Sequence, residues 1–255
     1  MSALTIERVR VRGTECDVYG HLNNANAIRL MRFADERHPP RGAMVRHRIE
    51  FVRSVGPGDA LTITVDVDEA ANGYERRSYA VSDDESIVMR GCADFLEPGA
   101  TDSGKAIAES PPPPPGSFVI TRPVEWRDVG MEGTVGIAAL AALSEDAGIR
   151  VAAAHGWPMT RCTDEGFAIV LRSMDAELTA SADLDDEIAI ETYVSDARRS
   201  MITRHYLLTR TSDGTDVCRF RSLYVWVDIA THRPIRVPDH FLADFAGNFI
   251  VGTTA

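Results

Sequence analysis

The stretches 4–11, 45–52, 60–67, 76–81 and 87–95 either alternate apolar with polar residues or are rich in strand formers, the patterns expected of strands. Between the first two of these runs the period changes. Over 24–37, Ile28, Met31 and Phe33 or Ala34 share one face of a helix, which Pro39 and Pro40 then stop. Gly56-Pro57-Gly58-Asp59 and Asp83-Asp84-Glu85 supply turns between the later strands.

The order strand, helix, four strands then returns. A strand at 118–125 leads to an alanine-rich helical segment near 136–153, and strands follow at 167–171, 187–194, 201–209 and 218–227. Leu61, Ile63 and Tyr79 correspond to Ile188, Ile190 and Tyr206, and Asp59 to Asp186, all at one constant offset, so internal duplication is the economical explanation. Between the halves lie five consecutive prolines, Pro111 to Pro115, which neither donate to a sheet nor continue a helix. The expected organisation is a domain at 1–97, a proline-rich, semi-rigid linker at 98–117 and a second domain at 118–245.

A helix followed by consecutive antiparallel strands predicts an α+β fold in which a curved sheet wraps a central helix. One such sheet of about 100 residues leaves an edge and part of a face uncovered, so it tends to pair with a second copy. Here the second copy is on the same chain. The expectation is an internal pseudo-dimer, its site built by the first domain's loop and helix and walled by the second domain. A homo-oligomer is left open.

Composition narrows the partners. The 255 residues are 44% hydrophobic and 25% charged, ordinary for a globular chain. A formal net charge of −11 gives no broad basic footprint, which argues against nucleic acid and anionic membrane as partners. Cys16, Cys92, Cys162 and Cys218 are widely spaced with no C-x-x-C pair, which argues against a zinc site or a disulfide framework and for reduced thiols. The first residues lack an apolar export core and no apolar run reaches membrane-spanning length, so a cytoplasmic location is expected.

The chemistry concentrates at Thr14-Glu15-Cys16-Asp17-Val18-Tyr19-Gly20-His21-Leu22-Asn23-Asn24-Ala25. This stretch resembles the signature of the hydroxybenzoyl-CoA thioesterase branch of the hot-dog superfamily. There an Asp is followed four residues later by His, and then by an Asn pair that opens the central helix. Ile49-Glu50-Phe51-Val52-Arg53 with Gly58-Asp59 is similar to that family's second strand and turn. Ala27 departs from it, since an aromatic residue is usual there, and bears on the shape of the acyl pocket. In the second half, Ser144-Glu145-Asp146-Ala147-Gly148, the stretch 188–206 and the closing Trp226 to Pro238 are similar to the motif-poor hot-dog domain of the fatty acyl-carrier-protein thioesterases. Those enzymes carry the motif-bearing domain second, and here the order is reversed.

The resemblance implies two tandem hot-dog domains and hydrolysis of an acyl thioester, acyl-CoA before acyl-carrier protein, with no cofactor and no metal. Such a reaction needs a base or nucleophile beside the carbonyl carbon and a donor for the developing oxyanion. By resemblance Asp17 is the base or nucleophile. The N–H groups of 24–27, at the positive end of the helix dipole, are candidate oxyanion donors. Asp17 read alone equally fits a turn-stabilising residue. His21 either orients substrate or Asp17, or pins the turn to the helix. Asn23 and Asn24 suit helix capping, which would fix the oxyanion donors, and Gly20 permits a backbone shape that a side chain blocks.

For the thiol carrier's phosphates, Arg76 and Arg77 are the first candidates, with Arg198-Arg199 and Arg46-x-Arg48 after them. The matching loop of the second half, Glu125 to Gly133, has an acid and a glycine but no histidine and no Asn pair, which predicts a degenerate site. A hot-dog hydratase or dehydratase and a non-catalytic acyl-thioester-binding module are the competing classes.

Overall fold

A computed structural model describes residues 2–70, 73–102 and 110–250. The chain divides into two compact units, Met1–Ile107 with Asp175–Leu178, and Ala108–Met174 with Thr179–Ala255. In the first, strand β1 (Ser2–Arg10) precedes helix α1 (Asn24–Arg37), and β2 (Ala43–Phe51), β3 (Ala60–Ala70), β4 (Tyr74–Ser82) and β5 (Ile87–Leu96) follow. The strand order is β1-β3-β4-β5-β2, and every paired neighbour within it is antiparallel. The α+β class and the sheet-and-helix layout expected from the sequence are what the structure shows.

Alternation decides which residues meet the helix. Leu61, Ile63 and Val65 of β3, Tyr79 and Val81 of β4, and Ala93 and Phe95 of β5 are all buried, as are Ala27, Ile28, Met31 and Ala34 of α1. Helix and sheet approach closely at Gly91, where an added Cβ would lie 2.7 Å from Met31 Sδ. A side chain there would have to displace the end of Met31.

The second unit repeats the plan. It contains β6 (Phe118–Pro123), α2 (Ile137–Ala154), a short α3 (Met159–Asp164), β7 (Phe167–Leu178, whose last residues group with the first unit), β8 (Glu187–Arg198), β9 (Met201–Arg210), β10 (Asp216–Asp228) and α4 (Asp239–Asp244). Its strand order, β6-β8-β9-β10-β7, is that of the first unit. Trp157, Phe167, Trp226, Phe241 and Phe245 fill one end of its core.

The proline tract that the sequence reads as a spacer is grouped with this second unit from Ala108 onward. Tyr193 OH donates to Pro111 O, and Ser110 Oγ hydrogen-bonds His205 Nδ1 at 2.9 Å. His205 Nε2 meets Ser195 Oγ at 2.8 Å, and its ring stacks on Tyr193. The part of the linker at 103–109 lies outside the described residues.

Candidate functional site

The motif forms a tight turn held by its own backbone. Asp17 N–H donates to His21 O at 2.7 Å and Gly20 N–H to Asp17 O at 3.0 Å, with Gly20 at φ +74°, a conformation that favours glycine. Leu22 N–H reaches Val55 O at 2.8 Å, which docks the turn on the segment before β3. Gly56 lies against it so closely that a Cβ would stand 3.0 Å from Gly20 O. That contact was not foreseen, and its only sequence signal is the Gly-Pro-Gly-Asp turn. Asp17, Gly20 and His21 are exposed.

Asp17 Oδ1 accepts the N–H groups of Tyr19 at 2.9 Å and His21 at 3.1 Å. Both bonds fall on one oxygen. Among the described residues Oδ2 has no hydrogen-bond partner, and neither has the His21 imidazole.

Asn23 is the helix cap, and Asn24 is the first helical residue. Asn23 Oδ1 accepts from Ala25 N–H at 3.0 Å and Asn26 N–H at 3.3 Å, while its carbonyl takes Ala27 N–H at 2.9 Å. Three of the four N–H groups that the sequence offers to an oxyanion are therefore already used. Asn26 Nδ2 donates to Glu15 O at 3.0 Å and ties the first turn of α1 back to the motif. Ala27 is wholly buried beneath the helix.

The arginine pair behaves differently from the expectation. Arg76 and Arg77 point to opposite faces of β4. Arg76 is half exposed and forks onto Asp94 at 2.6 and 2.8 Å. Arg77 is buried at 3% exposure and pairs with Asp35 at 2.8 Å, Glu75 at 2.6 Å and His38 O at 2.6 Å. The assignment of Arg77 to substrate phosphate is corrected by this: its guanidinium is committed to an internal network. The network sits near the last turn of α1, roughly 16 Å along the helix from Asn24. Arg46 is likewise buried and paired with Asp102, and Arg48 bonds Asp175 at 2.5 Å. Of the candidate pairs, Arg198 and Arg199 are both exposed, the Arg198 side chain at 75%.

The two units can be matched bond by bond. Gly130 N–H to Thr134 O, Gly133 N–H to Gly130 O and Val135 N–H to Ala182 O repeat the three bonds of the motif turn. Arg12 N–H donates to Glu15 Oε2 at 2.8 Å, and Glu125 N–H to Asp128 Oδ2 at 2.9 Å. The acid of the second loop, Asp128, therefore corresponds to Glu15, and the residue at the place of Asp17 is Gly130. Thr134 stands for His21, and Gly136 for Asn23, with no side-chain cap on α2.

The fold and this pair of turns define a tandem hot-dog protein. The family model described as Thioesterase-like superfamily matches residues 124–245, just under half of the chain and the half without the motif. Among solved structures, the chain is similar to a putative oleoyl thioesterase from Lactobacillus plantarum, at 13% identity and TM-score 0.69 over 88% of this chain and 96% of that one. The 12:0-ACP thioesterase from Umbellularia californica matches at 13% identity and TM-score 0.68, over 91% and 94% of the two chains. A hot-dog-fold protein from Alicyclobacillus acidocaldarius matches at 14% and TM-score 0.60, over 86% and 92%. No curated protein matches the chain. Among the described residues no group of His, Cys, Asp and Glu is arranged to hold a metal, and no helix is long and apolar enough to cross a membrane.

Proposed function

We propose that this protein hydrolyses acyl thioesters, with acyl-CoA rather than an acyl-carrier protein as substrate, through the turn at Asp17. The observation that carries this reading is the division of labour in one carboxylate. Oδ1 holds the turn, which fixes the group's orientation, and Oδ2 has no partner among the described residues and is positioned to attack a carbonyl or activate water. His21, exposed four residues on, supplies an imidazole N–H to the thioester oxygen. The dipole of α1 adds positive potential at the same end. Gly20 and Asn23 shape the turn and the helix start, Asn24 opens the helix, and Ala27 forms its buried face. Arg76, whose guanidinium is half exposed, remains the candidate phosphate contact in this unit, and it would have to share itself with Asp94. The thioesterase-like match and the hydrolase names of the structural neighbours support the reaction class.

The net charge of −11 mildly disfavours docking of an acidic carrier protein and leaves acyl-CoA as the default. A binding module without chemistry is the competing reading, favoured by the turn-holding role of Asp17 itself. Thiol release from a panel of acetyl-, decanoyl- and benzoyl-CoA, with decanoyl-carrier protein beside it, separates the two. Release above background that disappears in Asp17→Asn supports hydrolysis. Saturable binding of every ester without thiol release would sink it.

A further inference from the structure

Arg204 in β9 stands where Arg77 stands in β4, two residues before the matched tyrosines Tyr206 and Tyr79. In the first unit Asp35 of α1 accepts from Arg77 Nη1 at 2.8 Å and from Tyr79 OH at 2.8 Å, while Glu75 accepts from Arg77 Nε at 2.6 Å. Following the same register, the residue at the place of Asp35 in α2 is Gly148, and the residue at the place of Glu75 is Ile202. The helix correspondence is confirmed by contact: a Cβ on Gly148 would lie 2.6 Å from Tyr206 OH, the atom equivalent to the one Asp35 binds. The arginine is present in both units, and the second unit has neither of the two carboxylates.

What surrounds Arg204 is neutral. It is 5% exposed, its Nη1 donates to Thr192 Oγ1 and Asn248 Oδ1, both at 3.2 Å, and its guanidinium lies over the Phe245 ring. Nε and Nη2 have no hydrogen-bond partner among the described residues. Directly across the strand pair, Ser222 is buried and its Oγ is unbonded. One pleat further along β10 is Tyr224, whose OH pairs with Tyr206 OH at 2.9 Å, and then Trp226, whose Nε1 is buried without a partner. Burial pulls the Arg204 guanidinium down from its ordinary value, and only the Tyr206 and Tyr224 phenols oppose it. For Arg77 burial pulls the same way, but Asp35 and Glu75 outweigh it. A buried cation without a counter-charge is an expensive arrangement unless something anionic joins it.

We propose that Arg204 is the receptor for a monocarboxylate with an apolar body, bound inside the second unit with its carboxylate on the Nε–Nη2 edge and Ser222 Oγ. The Nε–Nη2 edge is the fork that takes two carboxylate oxygens in parallel, and in the first unit the Glu75 carboxylate occupies that edge of Arg77. Phe220, Tyr224, Trp226 and Phe245 offer the apolar body aromatic walls. A bare inorganic anion would leave those walls unused. The assignment does not rest on the chemistry at Asp17. Where that chemistry is hydrolysis, the ligand belongs to the class of acid it releases.

Titration calorimetry of the full chain with decanoate, benzoate, formate and decanol tests this. Saturable decanoate or benzoate binding is expected, the two arms separating a chain from a ring, with formate and decanol weaker by about tenfold or more. Arg204→Met should abolish this binding and leave thiol release, if present, unchanged. Ser222→Ala should weaken it by about tenfold, and serves if the first variant does not fold. Because Asp17→Asn should retain the binding, a failure of the hydrolase reading is distinguishable from a failure of this one. Binding that is equal in wild type, Arg204→Met and Ser222→Ala, or equal for decanoate and decanol, overturns the proposal, as does the absence of any saturable binding.

Discussion

Asp17 and Gly130 occupy the same corner of the same turn, each donating its N–H to the residue four positions on, at 2.7 Å to His21 O and 2.9 Å to Thr134 O. Only the first carries a carboxylate. Asparagine at position 17 keeps an oxygen to accept from Tyr19 and His21, so Asp17→Asn should fold with an unchanged melting temperature. Thiol release should fall by roughly 10²–10⁴-fold, the usual contribution of a positioned base. Turnover within twofold of wild type would remove Asp17 from the mechanism.

Gly130→Asp should add no activity. A Cβ there would approach nothing closer than Thr134 O at 3.7 Å, so the variant has room to fold. The new acid would still lack the histidine and the capping asparagine, because Thr134 and Gly136 stand in their places. The double variant Asp17→Asn/Gly130→Asp should be as inactive as Asp17→Asn alone in the same thiol assay.

Asn23→Ala should destabilise the first unit by about 0.5–2 kcal/mol, since it leaves two N–H groups of the helix start without their acceptor. Asn24→Ala should cost less, because Asn24 is already inside the helix. Urea unfolding midpoints of the two variants give the order, and a reversed order would contradict the cap geometry.

Removing the acid beneath Arg77 should be among the most damaging single changes. Asp35→Ala leaves a buried guanidinium with Glu75 as its remaining acid and takes the acceptor from the Tyr79 hydroxyl, and breaking a buried pair from one side typically costs about 3–5 kcal/mol. Replacing Arg77 together with both of its acids by apolar residues, Asp35→Leu/Glu75→Leu/Arg77→Met, should recover much of that loss in a denaturant titration.

Stability should decline as the pH falls from about 6.5 to about 4. Burial draws both His47 and His205 down to about 4, with Arg32 adding to the effect on His47 and Arg221 on His205. Both rings are neutral in the folded chain across that window, whereas the unfolded chain takes up protons below about 6.5. The contribution is thus complete above 6.5 and is lost toward 4, at most by about 3 kcal/mol for each histidine. His205→Phe, which keeps an aromatic ring against Tyr193, should flatten the dependence of melting temperature on pH in this range.

Much of the fold was readable because its periods are long and clean. Helix α1 spans Asn24–Arg37, where apolar residues recur at helical spacing between an Asn pair and two prolines, and each expected strand has a counterpart. Helices α3 and α4, six residues each, were missed because so short a segment shows no period. At the site, the turn and its capping asparagine follow from residue type alone. The fate of Arg77 does not, since adjacent arginines look alike until alternation sends Arg76 outward and Arg77 inward. The same rule places Tyr79 beside Arg77, and that was the available signal. The equivalence of Asp17 and Gly130 was hidden because Asp128 offers a nearer acid, and only the hydrogen-bond ladder shows that it matches Glu15.

The stretch from Pro111 to Pro115 also has a bearing on how the second unit avoids sticking to other chains. Sheets that expose strands invite further strands to add on, and a covering segment with its own N–H groups would only move the invitation outward. Tyr193 and His205 instead fasten a run in which five successive residues have no N–H to offer. It shields the side chains beneath it and cannot itself be extended into a ladder. A fragment starting at Phe118 would discard that shield and should aggregate more readily than one starting at Ala108.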